Sequence, residues 1–267
     1  MAGATLPSYA FAIEPKWLEP TFTTIPLSGH GPDKGIRILH LSDLHASSVV
    51  PFPLIERAVD MGLETKPDII CVTGDFITNQ KPVDLVEYRR ILKKLSAHAP
   101  AYGILGNHDG GPWAVRIGGH SDSAVIRSLL ADSGLRLLHN TSEITRVKGL
   151  DLRLTGVGDL WNDELDANAA FAKDHAANIP SILLAHNPDT KEFIADRPWD
   201  LMLCGHTHGG QVLIPVIGKR FVPVRDKEFI AGLKHWHGRY IYISRGVGNL
   251  GGIRLNCRPE VTTIDIV

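Results

Sequence analysis

Five short polar segments of the chain combine side chains that bind divalent cations. They are Asp43-Leu44-His45, Gly74-Asp75, Gly106-Asn107-His108-Asp109, His186-Asn187 and Gly205-His206-Thr207-His208. Carboxylate, imidazole and amide oxygen ligands suit ions such as Mn, Fe and Zn. The three cysteines are scattered along the chain, which argues against a structural thiolate zinc site. The segments therefore predict a cation site built from oxygen and nitrogen ligands.

The spacing within these segments suits two cations rather than one. Side chains alternate with period two in extended chain, so Asp43 and His45 can point to one side, and so can His206 and His208. Two neighbouring cations repel each other unless they share an anionic ligand, and Asp75 is the candidate for that bridge. Such a pair, about 3.5–4 Å apart, generates a hydroxide near neutral pH and grips phosphoryl oxygens. Phosphoester hydrolysis is the predicted chemistry.

His108 follows the candidate ligand Asn107, and Asp109 comes next. An imidazole in this place could donate a proton to the leaving oxygen or stabilise the transition state. Asp109 could fix the tautomer of His108. That role stays open, because side chains of adjacent residues often point apart.

Each polar segment follows an apolar run that predicts a buried strand. The strands are expected at 36–41, 68–72, 101–105, 181–185 and 201–204, with helices at 54–64, 83–96 and about 122–132. This alternation indicates an α/β fold, in which functional groups gather at the carboxyl ends of strands. Glycines at 74, 106 and 205 would let the backbone turn sharply and approach a ligand closely.

The remaining segments complete a single predicted domain. Runs at 135–138, 143–147 and 150–157 are separated by turn signals that suit antiparallel pairing, and the tail offers strands at 240–244 and 262–266. Residues 1–34 are predicted to be an extended lead-in with an edge strand at about 22–27. Residues 35–267 are predicted to form the catalytic domain. No linker divides the chain, so one domain is expected. The protein is also expected to be a monomer.

Composition narrows the classes of partner. The 267 residues are 43% hydrophobic and 21% charged, as in an ordinary globular protein, and the formal net charge is −1. No broad basic surface follows from that balance, so no nucleic-acid partner is expected. Nor does the sequence contain the run of about 18 apolar residues that a membrane-spanning helix needs.

The five segments, in this order, resemble those of the calcineurin-like metallophosphoesterase superfamily. The resemblance implies a four-layer αββα double β-sandwich flanked by helices. It also implies that two divalent ions are bound and that His108 is the catalytic histidine. One ion would be held by Asp43, His45, Asp75 and His208, and the other by Asp75, Asn107, His186 and His206.

A closer likeness is to a bacterial subgroup of membrane-associated or exported phosphodiesterases. It rests on residues 10–15, Gly205 to Val212, Ser244-Arg245-Gly246-Val247-Gly248 and Arg258-Pro259-Glu260. The subgroup usually begins with a signal or anchor, so one is expected to precede residue 1. This implies a place in the cell envelope or at a membrane, with the cytoplasm as the alternative. Some relatives cleave UDP-2,3-diacylglucosamine, which makes a lipid-linked pyrophosphate the sharpest substrate hypothesis.

Several alternatives remain open. The motifs do not distinguish a phosphodiesterase from a phosphomonoesterase or protein phosphatase, and a non-catalytic module that binds a phosphorylated ligand is a third possibility. Arg245 and Arg254 could hold phosphate with paired hydrogen bonds. Residues 214–224, with Lys219 and Arg220, could rest on a lipid surface, although a plain hairpin is the simpler interpretation.

Overall fold

Two six-stranded sheets form the centre of the computed structural model, which describes residues 6–27, 35–81, 83–172, 179–214 and 222–267. Strands are numbered in chain order. The first sheet has the order β1 (Glu19–Ile25), β12 (Glu260–Ile266), β2 (Ile36–Leu41), β3 (Ile69–Thr73), β4 (Ala101–Ile104), β5 (Arg136–Leu137). The second has the order β10 (Gly232–Trp236), β11 (Arg239–Ile243), β9 (Leu201–Cys204), β8 (Ser181–Leu184), β7 (Leu150–Gly156), β6 (Thr141–Val147).

The helices are α1 (Leu6–Ser8), α2 (Phe52–Leu63), α3 (Leu85–His98), α4 (Pro112–Arg116), α5 (Ala124–Asp132) and α6 (Ala167–Ala170). Helix α3 begins two residues later than predicted because Asp84 caps it, accepting hydrogen bonds from the backbone N–H groups of Val86 and Glu87. Single turns of 3₁₀ helix lie at Glu14–Lys16 and His208–Gly210, and a longer one at Pro188–Ile194. A π-helical turn covers Tyr9–Ile13.

Parallel pairs dominate both sheets. Strands β2 to β5 are parallel in the first sheet, and β7, β8, β9 and β11 are parallel in the second. The predicted antiparallel pairing is confirmed for β6 with β7, whereas it is wrong for residues 135–138. That run joins β4 in parallel, because α5 provides the crossover that a parallel connection requires.

Apolar layers hold the four tiers together. Between the sheets, Ile38 and Ile104 of the first sheet pack in one cluster with Leu154, Leu184 and Leu203 of the second. A second cluster joins α2, α3 and α5 to the outer face of the first sheet. A third covers the outer face of the second sheet with α6 and the turn at Pro188–Ile194. The predicted four-layer αββα fold is confirmed.

The lead-in differs from the expectation of extended chain. Residues Leu6–Lys16 form helical turns, and the edge strand β1 runs from Glu19 to Ile25, parallel to β12. The buried Glu14 carboxylate explains this placement, since it accepts hydrogen bonds from the backbone N–H groups of Asn256 (3.0 Å) and Cys257. The boundary between residues 34 and 35 falls beside a segment outside the described residues and stays a prediction.

Candidate metal centre

The predicted ligands meet at one edge of the sandwich, where strands of both sheets have their carboxyl ends. Five of them have a left-handed backbone, with φ between 49° and 68°: Asp43, His45, Asp75, His206 and His208. This region is uncommon outside glycine, and residues held there cluster at functional sites. Backbone hydrogen bonds hold the strained turns, since the N–H groups of Asp43 and His45 donate to the carbonyls of Gly74 (3.0 Å) and Asp75 (2.9 Å).

Asp75 lies at the centre of the cluster. Its Oδ2 atom is 3.3 Å from His45 Nε2 and 3.2 Å from His186 Nε2. On the other side of His45, the Nε2 atom of His208 lies 3.1 Å from His45 Nε2 and 3.6 Å from Asp43 Oδ1. These separations between donor atoms match ligands that share a cation through bonds of about 2.1 Å. Asp75 is thus placed to bridge two positions.

Two buried ligand atoms lack hydrogen-bond partners in the part of the chain that the structure describes. They are Asn107 Oδ1 and His186 Nε2. His186 is oriented from its other nitrogen, where Nδ1 lies 2.7 Å from the Thr73 carbonyl, so its Nε2 atom faces Asp75. Buried polar atoms without partners are costly, and a cation would satisfy these. The donor set therefore fits divalent metal ions.

Glycines make room for the ligands as predicted. A Cβ at Gly106 would collide with the Asp75 carboxylate, and one at Gly205 would collide with the side chains of Ser42 and Asp43. Gly74 has φ 84°, and a Cβ there would collide with the Gly106 backbone and with the His186 ring. Any larger side chain at these three positions would displace a ligand.

The electrostatics favour positive charge at this edge. Burial raises the pKa of Asp75, but His186 and His108 lower it by more, so the carboxylate stays ionised. Burial lowers the pKa of His206 to about 3, which leaves the neutral imidazole that a metal requires. Its Nε2 atom is 3.1 Å from the Pro223 carbonyl, so Nδ1 is left as the free nitrogen.

Comparisons with known proteins agree with this geometry. The family model described as calcineurin-like phosphoesterase matches residues 36–210, which contain every candidate ligand. The chain belongs to the calcineurin-like phosphoesterase family. With the aspartate and histidine clusters described above, it is a metal-dependent phosphoesterase that carries candidate dinuclear metal-binding residues.

Relatives of this phosphoesterase come from several bacteria. The chain is 42% identical to Phosphodiesterase YaeI of Escherichia coli, over 86% of this chain and 82% of that protein. It is 30% identical to the metallophosphoesterase YkuE of Bacillus subtilis, over 97% and 88% of the two chains. It is 27% identical to UDP-2,3-diacylglucosamine pyrophosphatase LpxG of Chlamydia muridarum, over 85% and 82%.

Solved structures share the fold. NAD nucleotidase of Haemophilus influenzae superposes with a TM-score of 0.51 at 16% identity, covering 80% of this chain and 45% of that one. Phosphopantetheinyl hydrolase of Mycobacterium tuberculosis gives 0.50 at 12% identity, over 79% and 89%. Among the described residues of the phosphoesterase, no helix is both long and apolar enough to cross a membrane.

His108 lies beside the ligands, and its partner differs from the one suggested by the sequence. Its Nδ1 atom is 2.7 Å from the Thr78 carbonyl, and its backbone N–H donates to Asp75 Oδ1 at 2.9 Å. The Asp109 carboxylate points away and accepts the backbone N–H groups of Phe76 (2.7 Å), Gly106 (2.8 Å) and Asp75 (2.9 Å). The suggestion that Asp109 fixes the His108 tautomer is therefore wrong, and Asp109 braces the turn that carries Asp75.

The two arginines proposed to hold phosphate are engaged elsewhere. Arg254 is fully buried, and its guanidinium donates to backbone carbonyls that include those of Arg245 (2.7 Å), Cys257 (3.0 Å) and Gly246 (3.1 Å). Arg245 pairs with Glu19 at 2.9 Å and with Glu260 at 3.1 Å. The suggestion is wrong for Arg254, which has no donor left for a substrate, and neither arginine lines the pocket above the ligands.

That pocket has a volume of about 360 Å³ and contains two residues that the sequence interpretation overlooked. Trp113 and Trp161 form one wall, beside His108 and His206. A signal was present, because Gly158-Asp159 follows β7 just as Gly74-Asp75 follows β3, and Trp161 comes two residues later. The tryptophans themselves gave no signal, since an indole carries no metal chemistry.

Proposed function

We propose that the protein hydrolyses phosphodiester or pyrophosphate bonds with two divalent cations. One would be held by Asp43, His45, Asp75 and His208, and the other by Asp75, Asn107, His186 and His206. The observation that carries this proposal is the position of Asp75 Oδ2, which lies within 3.3 Å of an imidazole nitrogen on either side. The ions would be Mn, Fe or Zn, since mixed oxygen and nitrogen ligands accept several first-row metals.

When bound, such a pair of ions supplies an ionised water near neutral pH and neutralises charge on the phosphoryl oxygens. The protein itself positions the ester. His108 donates its Nδ1–H to the Thr78 carbonyl at 2.7 Å, so in the neutral ring Nε2 carries no proton and is the atom that accepts one from the substrate or from water. Burial lowers the pKa of His108 to about 4, and it therefore enters the reaction as the neutral imidazole.

The pocket supports a diester, with its single negative charge, over a monoester. The described residues that line it include no lysine or arginine that would match the second negative charge of a monoester. The relatives named phosphodiesterase and UDP-2,3-diacylglucosamine pyrophosphatase point in the same direction. A lipid-linked pyrophosphate such as UDP-2,3-diacylglucosamine is the substrate that we would test first.

A lipid-linked substrate would be reached at a membrane surface, so we also propose peripheral membrane contact in the cell envelope. Large apolar side chains near the N-terminus support it, since Phe11, Ile13 and Trp17 are 54%, 42% and 50% exposed. The suggested lipid contact at 214–224 lies mostly outside the described residues, and the monomeric state remains a prediction.

The test combines elemental analysis of the purified protein with a substrate panel. We expect about two first-row metal ions per chain and faster hydrolysis of bis-p-nitrophenyl phosphate than of p-nitrophenyl phosphate. UDP-2,3-diacylglucosamine should yield UMP and the acylated sugar phosphate. A His108→Ala variant should keep its metals and lose turnover by about 10²–10⁴-fold. Metal-loaded protein that cleaves no phosphoester would overturn the proposal in favour of a binding module.

A further inference from the structure

Trp113 and Trp161 are fixed in place by one buried network. The Oδ1 atom of Asn162 accepts the backbone N–H of Trp113 at 2.9 Å, and Asp159 Oδ1 accepts the backbone N–H groups of Trp161 and Asn162, both at 2.9 Å. Asn162 also donates to the backbone carbonyl of the candidate ligand Asn107 at 3.3 Å. The two indoles are thus held in register with the metal centre.

The two rings form a concave corner over the reacting groups. Their centroids are 5.3 Å apart, with the planes tilted by 42°. Trp113 packs against the edge of His108 at 4.8 Å, and Trp161 against His206 at 4.3 Å. Both tryptophans are partly exposed. An ester whose phosphorus lies at the metal centre would therefore place its substituent against the indole corner.

The chemistry of the pocket indicates what that substituent is. Facing the indoles are uncharged groups, including Val212, Val222 and Leu250. Within the described residues neither indole N–H has a hydrogen-bond acceptor, so the wall offers apolar faces together with two free donors. A flat ring that carries acceptor atoms would use both, whereas an alkyl chain would use only the faces.

We propose that Trp113 and Trp161 form a stacking platform that binds a flat aromatic or nucleobase-like ring of the phosphoester. This inference rests on the proposed hydrolytic function and names the group that it prefers. Stacking of a base on an aromatic side chain contributes enough for the ring to be favoured about tenfold over a non-aromatic group of equal size.

A matched ligand pair tests the platform without turnover. Methyl benzylphosphonate and methyl cyclohexylmethylphosphonate carry the same single charge and differ mainly in the flatness of the ring. Calorimetric titration of the metal-loaded protein should show about tenfold tighter binding of the benzyl compound. Trp113→Leu and Trp161→Leu should abolish the preference, while the Phe variants should retain most of it.

Trp17→Leu is the control, because Trp17 lies outside the pocket and stacks under Arg258 at 4.2 Å. It should leave the preference unchanged. Equal binding of the two ligands to the wild type, a preference for the cyclohexyl compound, or Leu variants that keep the benzyl preference would overturn the platform. A wild-type protein that hydrolyses no diester would contradict the proposed function instead. The binding measurement needs no turnover and therefore separates these two failures.

Discussion

Two buried polar clusters lie close together in this protein, and they differ in how completely their hydrogen bonds are satisfied. Around Arg254, which we call the arginine knot, a fully buried guanidinium donates to a ring of backbone carbonyls. In the ligand cluster around Asp75, buried atoms such as Asn107 Oδ1 and His186 Nε2 have no hydrogen bond in the described chain. Both clusters are buried, but only the ligand cluster lies at the floor of the pocket.

The comparison shows how to separate structural from functional buried charge. A guanidinium offers five N–H donors, and Arg254 donates them to the backbone of loops that flank the site. One of these loops contacts a candidate ligand directly, because the Gly248 N–H donates to the Asp43 carbonyl at 2.7 Å. The ligand cluster instead groups metal-binding atoms, such as those of Asp43, Asp75 and His186, within 4.8 Å of one another. A buried charged group whose hydrogen bonds are all satisfied has a structural role. Buried polar atoms without hydrogen-bond partners indicate a site for a ligand.

The largest expected effect comes from Asp75→Asn. The amide keeps an acceptor for the His108 N–H but removes the anion shared by both cation positions. We expect a fall in kcat/KM of about 10³-fold or more, the scale of several kcal/mol of lost charge stabilisation, with loss of bound metal. Kinetics with a diester and elemental analysis check it. Asp151→Asn, at an exposed position, should change neither, and full activity in Asp75→Asn would remove the bridging assignment.

Arg254→Met should act on the fold instead. The variant leaves several buried carbonyls without donors, each costing about 1–3 kcal/mol, so the free energy of unfolding should fall by about 3–4 kcal/mol. For a chain of this size, that loss lowers the melting temperature by roughly 10 °C. Thermal unfolding measures it, with the exposed Arg57→Met as the control. A stable variant with impaired phosphate binding would restore the substrate role rejected above.

Asp109→Asn tests a residue that is structural, like Arg254, but lies directly beside the ligand cluster. Its carboxylate braces the backbone of Asp75 and Gly106 without touching the cation positions, and an amide would present an N–H₂ group to one of those N–H donors. We expect metal affinity and activity to fall by about 10–100-fold. Metal titration followed by diester kinetics would show this, and activity should recover partly at high metal concentration. Asp163→Asn, which is exposed, serves for comparison.

The smallest expected effect concerns the wild type. Cations bind the native ligand cluster and not the dispersed ligands of the unfolded chain. Adding Mn²⁺ at about ten times its dissociation constant should stabilise the chelator-treated protein by about 1.4 kcal/mol for each ion bound. Denaturant unfolding with and without metal measures the shift. The same addition to Asp75→Asn should have little effect, and equal stabilisation of both would locate the ion elsewhere.

The sequence was sufficient to single out the candidate ligands that the fold brings together, because each lies next to the end of an apolar strand. Local patterns there carry both the element and its chemistry. It was insufficient for Arg254, since burial of a guanidinium depends on carbonyls from five separate positions of the folded chain. The Trp113–Trp161 corner was out of reach for a related reason. Its halves come from α4 and from the turn after β7, and only the folded chain brings their rings to 5.3 Å.

The placement of β12 has a consequence for biogenesis. This strand, Glu260–Ile266, lies between β1 and β2, so the first sheet cannot close until those residues have left the ribosome. Strand β2 leads directly into Asp43 and His45. Its edge toward β12 stays unpaired until β12 has been synthesised. Pairings so distant along the chain form slowly and leave strands open to aggregation. We therefore expect the nascent polypeptide to acquire its cations only after β12 has been synthesised and has paired with β2.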